Sequence, residues 1–184
     1  MSDMVDVYIE RARSETSLCR EILLELIRIE DALLSYLKSS QGETVSTAML
    51  RAEVVRTLDD FGWHTNAFVT SKLPVGTPQA GLRVNGLRDI SDCGCKMRHR
   101  VIMNCLLDNR QAIGTNLLKF ELASKSYSSD HRDCTSVGLC ISEDTKSRRQ
   151  WDTSVGTYSD YVAMLNTPYS GIIESRIHLW ELNF

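Results

Sequence analysis

The run Arg100-Val101-Ile102-Met103-Asn104-Cys105-Leu106-Leu107 constrains this chain more than any other stretch. It is apolar, bounded by charge and too short for a buried helix, so it reads as a central strand. Asp108-Asn109-Arg110 supplies turn chemistry after it. The next segment places Ile113, Leu117, Phe120 and Leu122 near one face at helical spacing. Side chains alternate along a strand, so Arg100, Ile102, Asn104 and Leu106 share one face and Val101, Met103, Cys105 and Leu107 the other. What an asparagine does in the middle of such a strand is the functional question.

The flanking segments supply layers for that strand. Ile22, Leu26, Ile29, Leu33 and Leu37 form a buried stripe in a helix from about Asp6 to Ser39. Leu18, Leu23, Leu34 and Tyr36 widen it enough to pack on the domain and on a second copy. A second helix runs from Ser46 or Thr47 to Asp60, with either hydroxyl as its cap and Met49, Leu50, Val54, Leu58 and Phe61 inside. Gly62 ends it, and Trp63 to Thr70 is extended. Asn85-Gly86, between Leu82-Arg83-Val84 and Leu87-Arg88-Asp89-Ile90, reads as a hairpin turn. Ser136 to Ile141 is the next strand, Glu143 to Gln150 an exposed charged segment, and Trp151 to Tyr158 a loop. A short helix with Tyr161, Val162 and Leu165 inside and a strand near Ile172 to Trp180 close the chain. This order predicts one domain over residues 1–184, an α/β fold with a mixed central sheet flanked by helices.

Composition narrows the class. Charged residues make up 24% and hydrophobic residues 42%, as in a soluble globular domain. No apolar run spans a bilayer and no signal-peptide core precedes Asp3, Asp6 and Glu10, so the cytoplasm is expected. A net charge of -3 argues against a non-specific nucleic-acid coat. Two local basic clusters remain, Lys96, Arg98, His99 and Arg100, then Lys146, Arg148 and Arg149. Each is either a solvated surface or a phosphate contact. Six cysteines in a cytosolic chain are expected as reduced, mostly buried thiols. Cys93-Gly94-Cys95 with His99, Cys105, Cys134 or Cys140 is a zinc alternative with unusual spacing. Cys95 with His99, or His131 with Cys134, would be the basis of a thiol-imidazole enzyme.

Several pieces resemble the BglII-like type II restriction endonucleases, a branch of the PD-(D/E)XK nucleases. They are Phe61-Gly62-Trp63, the hairpin before the central strand, Arg100-Val101 through Asn109-Arg110, Leu117-Leu118-Lys119-Phe120, Val137-Gly138 and Val155-Gly156-Thr157-Tyr158. The resemblance implies a homodimer acting on double-stranded DNA with Mg2+ in each subunit. It also implies an acid at the end of one strand and a Glu with a polar partner two residues on in the next. Here Cys95 aligns with the first acid, Asn104 with the Glu and Leu106 with its partner. An amide brings magnesium a neutral oxygen and leucine brings nothing. The resemblance therefore implies either of two proteins. One is a magnesium endonuclease rescued by Asp92 and Glu121 beside Asn104, with Lys96, Arg98 and Arg100 on phosphates. The other is an inactive nuclease fold that binds DNA or a protein partner.

Overall fold

The computed structural model describes residues 20–40, 44–69, 83–91, 98–127, 134–166, 172–173, 175 and 177–183. Two helices come first, α1 (Arg20–Ser39) and α2 (Thr47–Asp60), followed by β1 (His64–Phe68), β2 (Arg83–Ser91) and β3 (Arg98–Cys105). A 3-10 turn (Arg110–Ala112) leads into α3 (Ile113–Tyr127). Then come β4 (Cys134–Ile141), α4 (Glu143–Arg148), α5 (Tyr158–Asn166) and β5 (Ile177–Leu182). The strands form one sheet in the order β1-β2-β3-β4-β5. β1, β2 and β3 are mutually antiparallel neighbours, whereas β4 and β5 run parallel to β3. This is the expected mixed sheet, with β3 at its centre.

Both faces of the sheet are covered, and the alternation of β3 decides what covers each. Val101, Met103, Cys105 and Leu107 join the core built by the stripe of α1 and by Leu50, Val54 and Leu58 of α2. Ile102 and Leu106 join a second core with Ile113, Leu117 and Phe120 of α3 and Tyr161 of α5. Ser46 caps α2 by accepting the Met49 N–H at 3.2 Å. Gly62, at φ 76°, takes the left-handed turn that ends that helix. Trp63 then lies buried below the helix end, as expected.

The structure corrects several sequence expectations. Residues 83–91 form one continuous strand, not a hairpin turning at Asn85-Gly86. A Cβ on Gly86 would stand 3.0 Å from Leu58 Cδ1 and 3.0 Å from Trp63 Cε3, so this glycine serves the close approach of α2 rather than a turn. Met49 is 40% and Leu122 50% exposed, since each stands at the rim of its helix's apolar stripe. Segment 143–150 is not all solvated. Lys146 is buried and donates to the Thr153 and Val155 carbonyls at 3.0 and 2.9 Å, which removes it from the second basic cluster. The last strand begins at Ile177 rather than near Ile172, whose side chain is exposed. Residues 6–19 of the first predicted helix lie outside the described residues.

Candidate functional site

The resemblance puts its chemistry around Asn104, and the structure seats that residue near the carboxyl end of β3. Asn104 is 5% exposed and pairs with Gly138 of the parallel neighbour β4. Leu106, two residues on, has no exposed surface. A Cβ on Gly138 would come within 2.4 Å of Leu106 Cδ1 and 3.2 Å of Leu179 Cδ2. Leu106 therefore occupies the volume that a side chain at position 138 would take. Of the Asn104 and Leu106 side chains only the amide offers an oxygen, and it is uncharged, so the pair supplies a hard divalent cation with none of the carboxylate charge it favours. Among the described residues no group of three or more His, Cys, Asp or Glu could hold a metal ion.

Of the two proposed rescuing acids, Asp92 lies outside the described residues. Glu121 is buried on α3, with Lys125 Nζ 2.8 Å from its Oε1 and the Ser175 N–H donating to its Oε2 at 2.8 Å. Those contacts tie the carboxylate to its own helix and to the segment just before β5. Burial pushes the Glu121 pKa up. The bonds from Lys125 and Ser175 and the Lys125 charge outweigh it and leave the pKa lowered. A depressed folded pKa adds stability above the ordinary carboxylate value, and that stability is lost as pH falls through the folded value. Urea titrations across pH should therefore show Glu121→Gln less stable than wild type near neutrality. The gap should close in acid; a gap constant down to pH 3 would refute the role of this charge.

The acid that does follow β3, Asp108, is held on several sides. Arg51 Nη2 donates to its Oδ1 at 2.7 Å and Asn116 Nδ2 to its Oδ2 at 3.0 Å. Its carbonyl accepts the Gly156 N–H at 2.9 Å, and Asn116 also reaches the Tyr161 hydroxyl at 3.0 Å. Arg110 is tied to Asp160 at 2.8 Å. This end of the sheet is a braced polar rim.

The proposed phosphate contacts are placed unequally. Arg100 grips Asp89 with two bonds, Nε to Oδ1 at 2.7 Å and Nη2 to Oδ2 at 2.9 Å, and its guanidinium lies 5.3 Å from the Tyr127 ring centre. Arg98 is described by its backbone alone, and Lys96 lies outside the described residues. Cys105 and Cys140 are buried on opposite faces of the sheet and share no ligand position. Burial pushes the Cys105 thiol up to about 12 and raises Cys140 as well, so both are inert near neutrality. Cys93 and Cys95 of the zinc and thiol-enzyme alternatives, and His131, lie outside the described residues.

Sequence reasoning missed Asn85, the polar residue that register brings beside Asn104. The last β2–β3 pair is Gly86 with Met103, and the Cys105 N–H then donates to Asn85 Oδ1 at 2.6 Å. The Asn-Gly turn signal concealed it. Asn116, a polar residue among the apolar positions of α3, was open to notice as a buried hydrogen-bonding group.

No protein-family model matches the chain, and no curated protein matches it. Among solved structures, the restriction endonuclease BglII complexed with a DNA 16-mer superposes with a TM-score of 0.59. The match covers 88% of this chain and 71% of that one at 14% identity. The two proteins share a fold, which the described residues of this chain build as a mixed five-stranded sheet between helices. No described helix is long and apolar enough to cross a membrane.

Proposed function

We propose that this protein binds double-stranded DNA on a restriction-endonuclease fold without hydrolysing it. The observation that carries the reading is Leu106, buried against Gly138 where the resemblance calls for a polar partner of the metal-binding residue. Losing that group, with Asn104 in place of a carboxylate, removes the charge that would hold magnesium and orient water. Nothing in that loss impairs a duplex-binding surface, because phosphate contacts and base readout come from other groups. The protein acts as a homodimer, which matches the two-fold symmetry of a palindromic duplex. Lys96 and Arg98 meet phosphates, and Arg100 joins them by exchanging Asp89 for a phosphate oxygen.

The test is fluorescence anisotropy with a set of duplexes, in EDTA and in magnesium, beside a plasmid-nicking assay. The expected result is equal affinity under both conditions, weakening as salt rises, with intact plasmid. Magnesium-dependent nicking abolished by Glu121→Ala or Asp92→Ala would establish the endonuclease instead.

One observation favours a second reading, a protein-binding role. Many arginines are already matched to carboxylates: Arg51 with Asp108, Arg56 with Glu53 and Asp60, Arg88 with Glu25, Arg100 with Asp89 and Arg110 with Asp160. Cations neutralised within the fold release few counterions from DNA. Failure to bind any duplex at low salt would leave this reading.

A further inference from the structure

We infer that Asn85 is the positioning residue of a fork in the sheet beside the buried Asn104, and that Asn85 itself faces DNA there; the second half rests on the function proposed above.

The fork can be followed residue by residue. Gly86 faces α2, where a Cβ would touch Leu58 and Trp63, whereas Val84 belongs to the core on the other face. Residues two apart in a regular strand share a face, so β2 turns over at Asn85. β1 does the same opposite it. Trp63 packs on the α1–α2 side, Ala67 packs on the α3 side, and Asn66 between them has φ 52°. That angle lies in the left-handed region, which asparagine tolerates better than most residues. The Asn66 carbonyl accepts from Arg83 Nη1 at 2.7 Å, which ties the bent arm together. Beyond the bend, β1 and β2 stay paired with each other, with Ala67 and Val84 in the core on the α3 side, while β3 continues beside β4 through Cys105.

The carboxyl end of β3 therefore loses its β2 neighbour next to Asn104. A buried amide without a partner is costly. At Cys105 the missing backbone acceptor is replaced by the Asn85 side-chain carbonyl. That single bond spans the crotch of the fork and sets how far the strands part. Asn85 itself is half-buried, whereas Asn104 and Cys105 are buried, so Asn85 is the member of this group that reaches solvent.

Two variants separate holding the fork from facing DNA. Asn85→Ala removes the acceptor, and Asn85→Asp keeps an acceptor oxygen while adding charge. In the full chain, exchange of the Cys105 amide should accelerate at least about tenfold in Asn85→Ala relative to the Met103 amide, as loss of a net hydrogen bond predicts. It should stay slow in Asn85→Asp. Affinity for the tightest duplex should fall about tenfold in Asn85→Asp at low salt and recover toward wild type as salt screens the repulsion, which a purely structural role would not produce. Unchanged Cys105 exchange in Asn85→Ala overturns the holding role. An Asn85→Asp protein with a protected Cys105 amide and wild-type affinity at every salt overturns the placement of the fork on DNA. If wild type binds no duplex, the DNA-binding function fails, and the exchange result alone decides whether Asn85 holds the fork.

Discussion

Leu106→Gln should destabilise the protein by about 3–5 kcal/mol, read as the shift in its urea midpoint. Burying a leucine side chain is worth about 1.5–3 kcal/mol, and an amide left without partners in its place adds about 1–3. Leu106 has no exposed surface and fills the gap above Gly138, so a glutamine there can neither leave nor find water. Pairing it with Asn104→Glu, which rebuilds two of the three positions implied by the nuclease resemblance and leaves Cys95 at the first, should be worse because it also buries a carboxylate. The double variant should be poorly folded and should not nick plasmid in magnesium. A stable, magnesium-dependent nuclease from those two changes would show that the pocket is still poised for a metal. The complementary pair tests the packing itself. Gly138→Ala should cost about 1–3 kcal/mol by overpacking, and Leu106→Ala about 2–5 by leaving a cavity. Together they should cost at least about 1 kcal/mol less than the sum, because the new methyl enters the vacated volume. Strict additivity would mean that the two positions do not compete for space.

The central strand, the helix after it and the two helices before it were legible because each has a single dominant period. Val101, Met103, Cys105 and Leu107 alternate with Ile102, Asn104 and Leu106, and the two sets enter different cores as the pleat requires. Strand β2 was illegible for the opposite reason. Its alternation breaks at Asn85, and a local break carrying Asn-Gly has the same sequence form as a tight turn. What made it a bend within a strand is tertiary: α2 presses on Gly86 and the Cys105 amide needs an acceptor. Lys146 was misread similarly, since a lysine in a charged run gives no sign that two loop carbonyls will bury it. At the candidate site the sequence names Asn104 and Leu106, but not the distances between elements. That Asn104 lies beside Gly138, with Leu106 filling the space there, emerges from strand register, and register depends on partners far away in the chain.

Polar contacts fasten some of those partners, and removing one should have the second large effect. Glu25 is 6% exposed on the inner face of α1. It accepts the indole N–H of Trp63 at 2.9 Å and hydrogen bonds from Arg88 and, at 3.2 Å, Arg28. Arg88 also donates to the Phe61 carbonyl at 2.8 Å, so one carboxylate ties α1, the end of α2 and strand β2 together. Glu25→Ala takes the acceptor from the Trp63 indole N–H and the counter-charge from the Arg88 guanidinium. Breaking a fully buried pair costs about 3–5 kcal/mol, and because the Arg88 side chain is 31% exposed, water recovers part of that, leaving about 2–4. Glu25→Gln keeps an oxygen for Trp63 but loses the charge, and should fall about halfway. Arg56 provides the contrast. It bonds Glu53 and Asp60, but its side chain is 62% exposed, so Arg56→Ala should unfold with the wild type. Equilibrium urea denaturation would rank the three variants. Trp63 emission should move to the red in Glu25→Ala as the indole gains water. If Glu25→Ala and Arg56→Ala prove equally mild, the helical layer is held by its apolar stripe alone, and the buried carboxylate does not fasten α1 to the sheet.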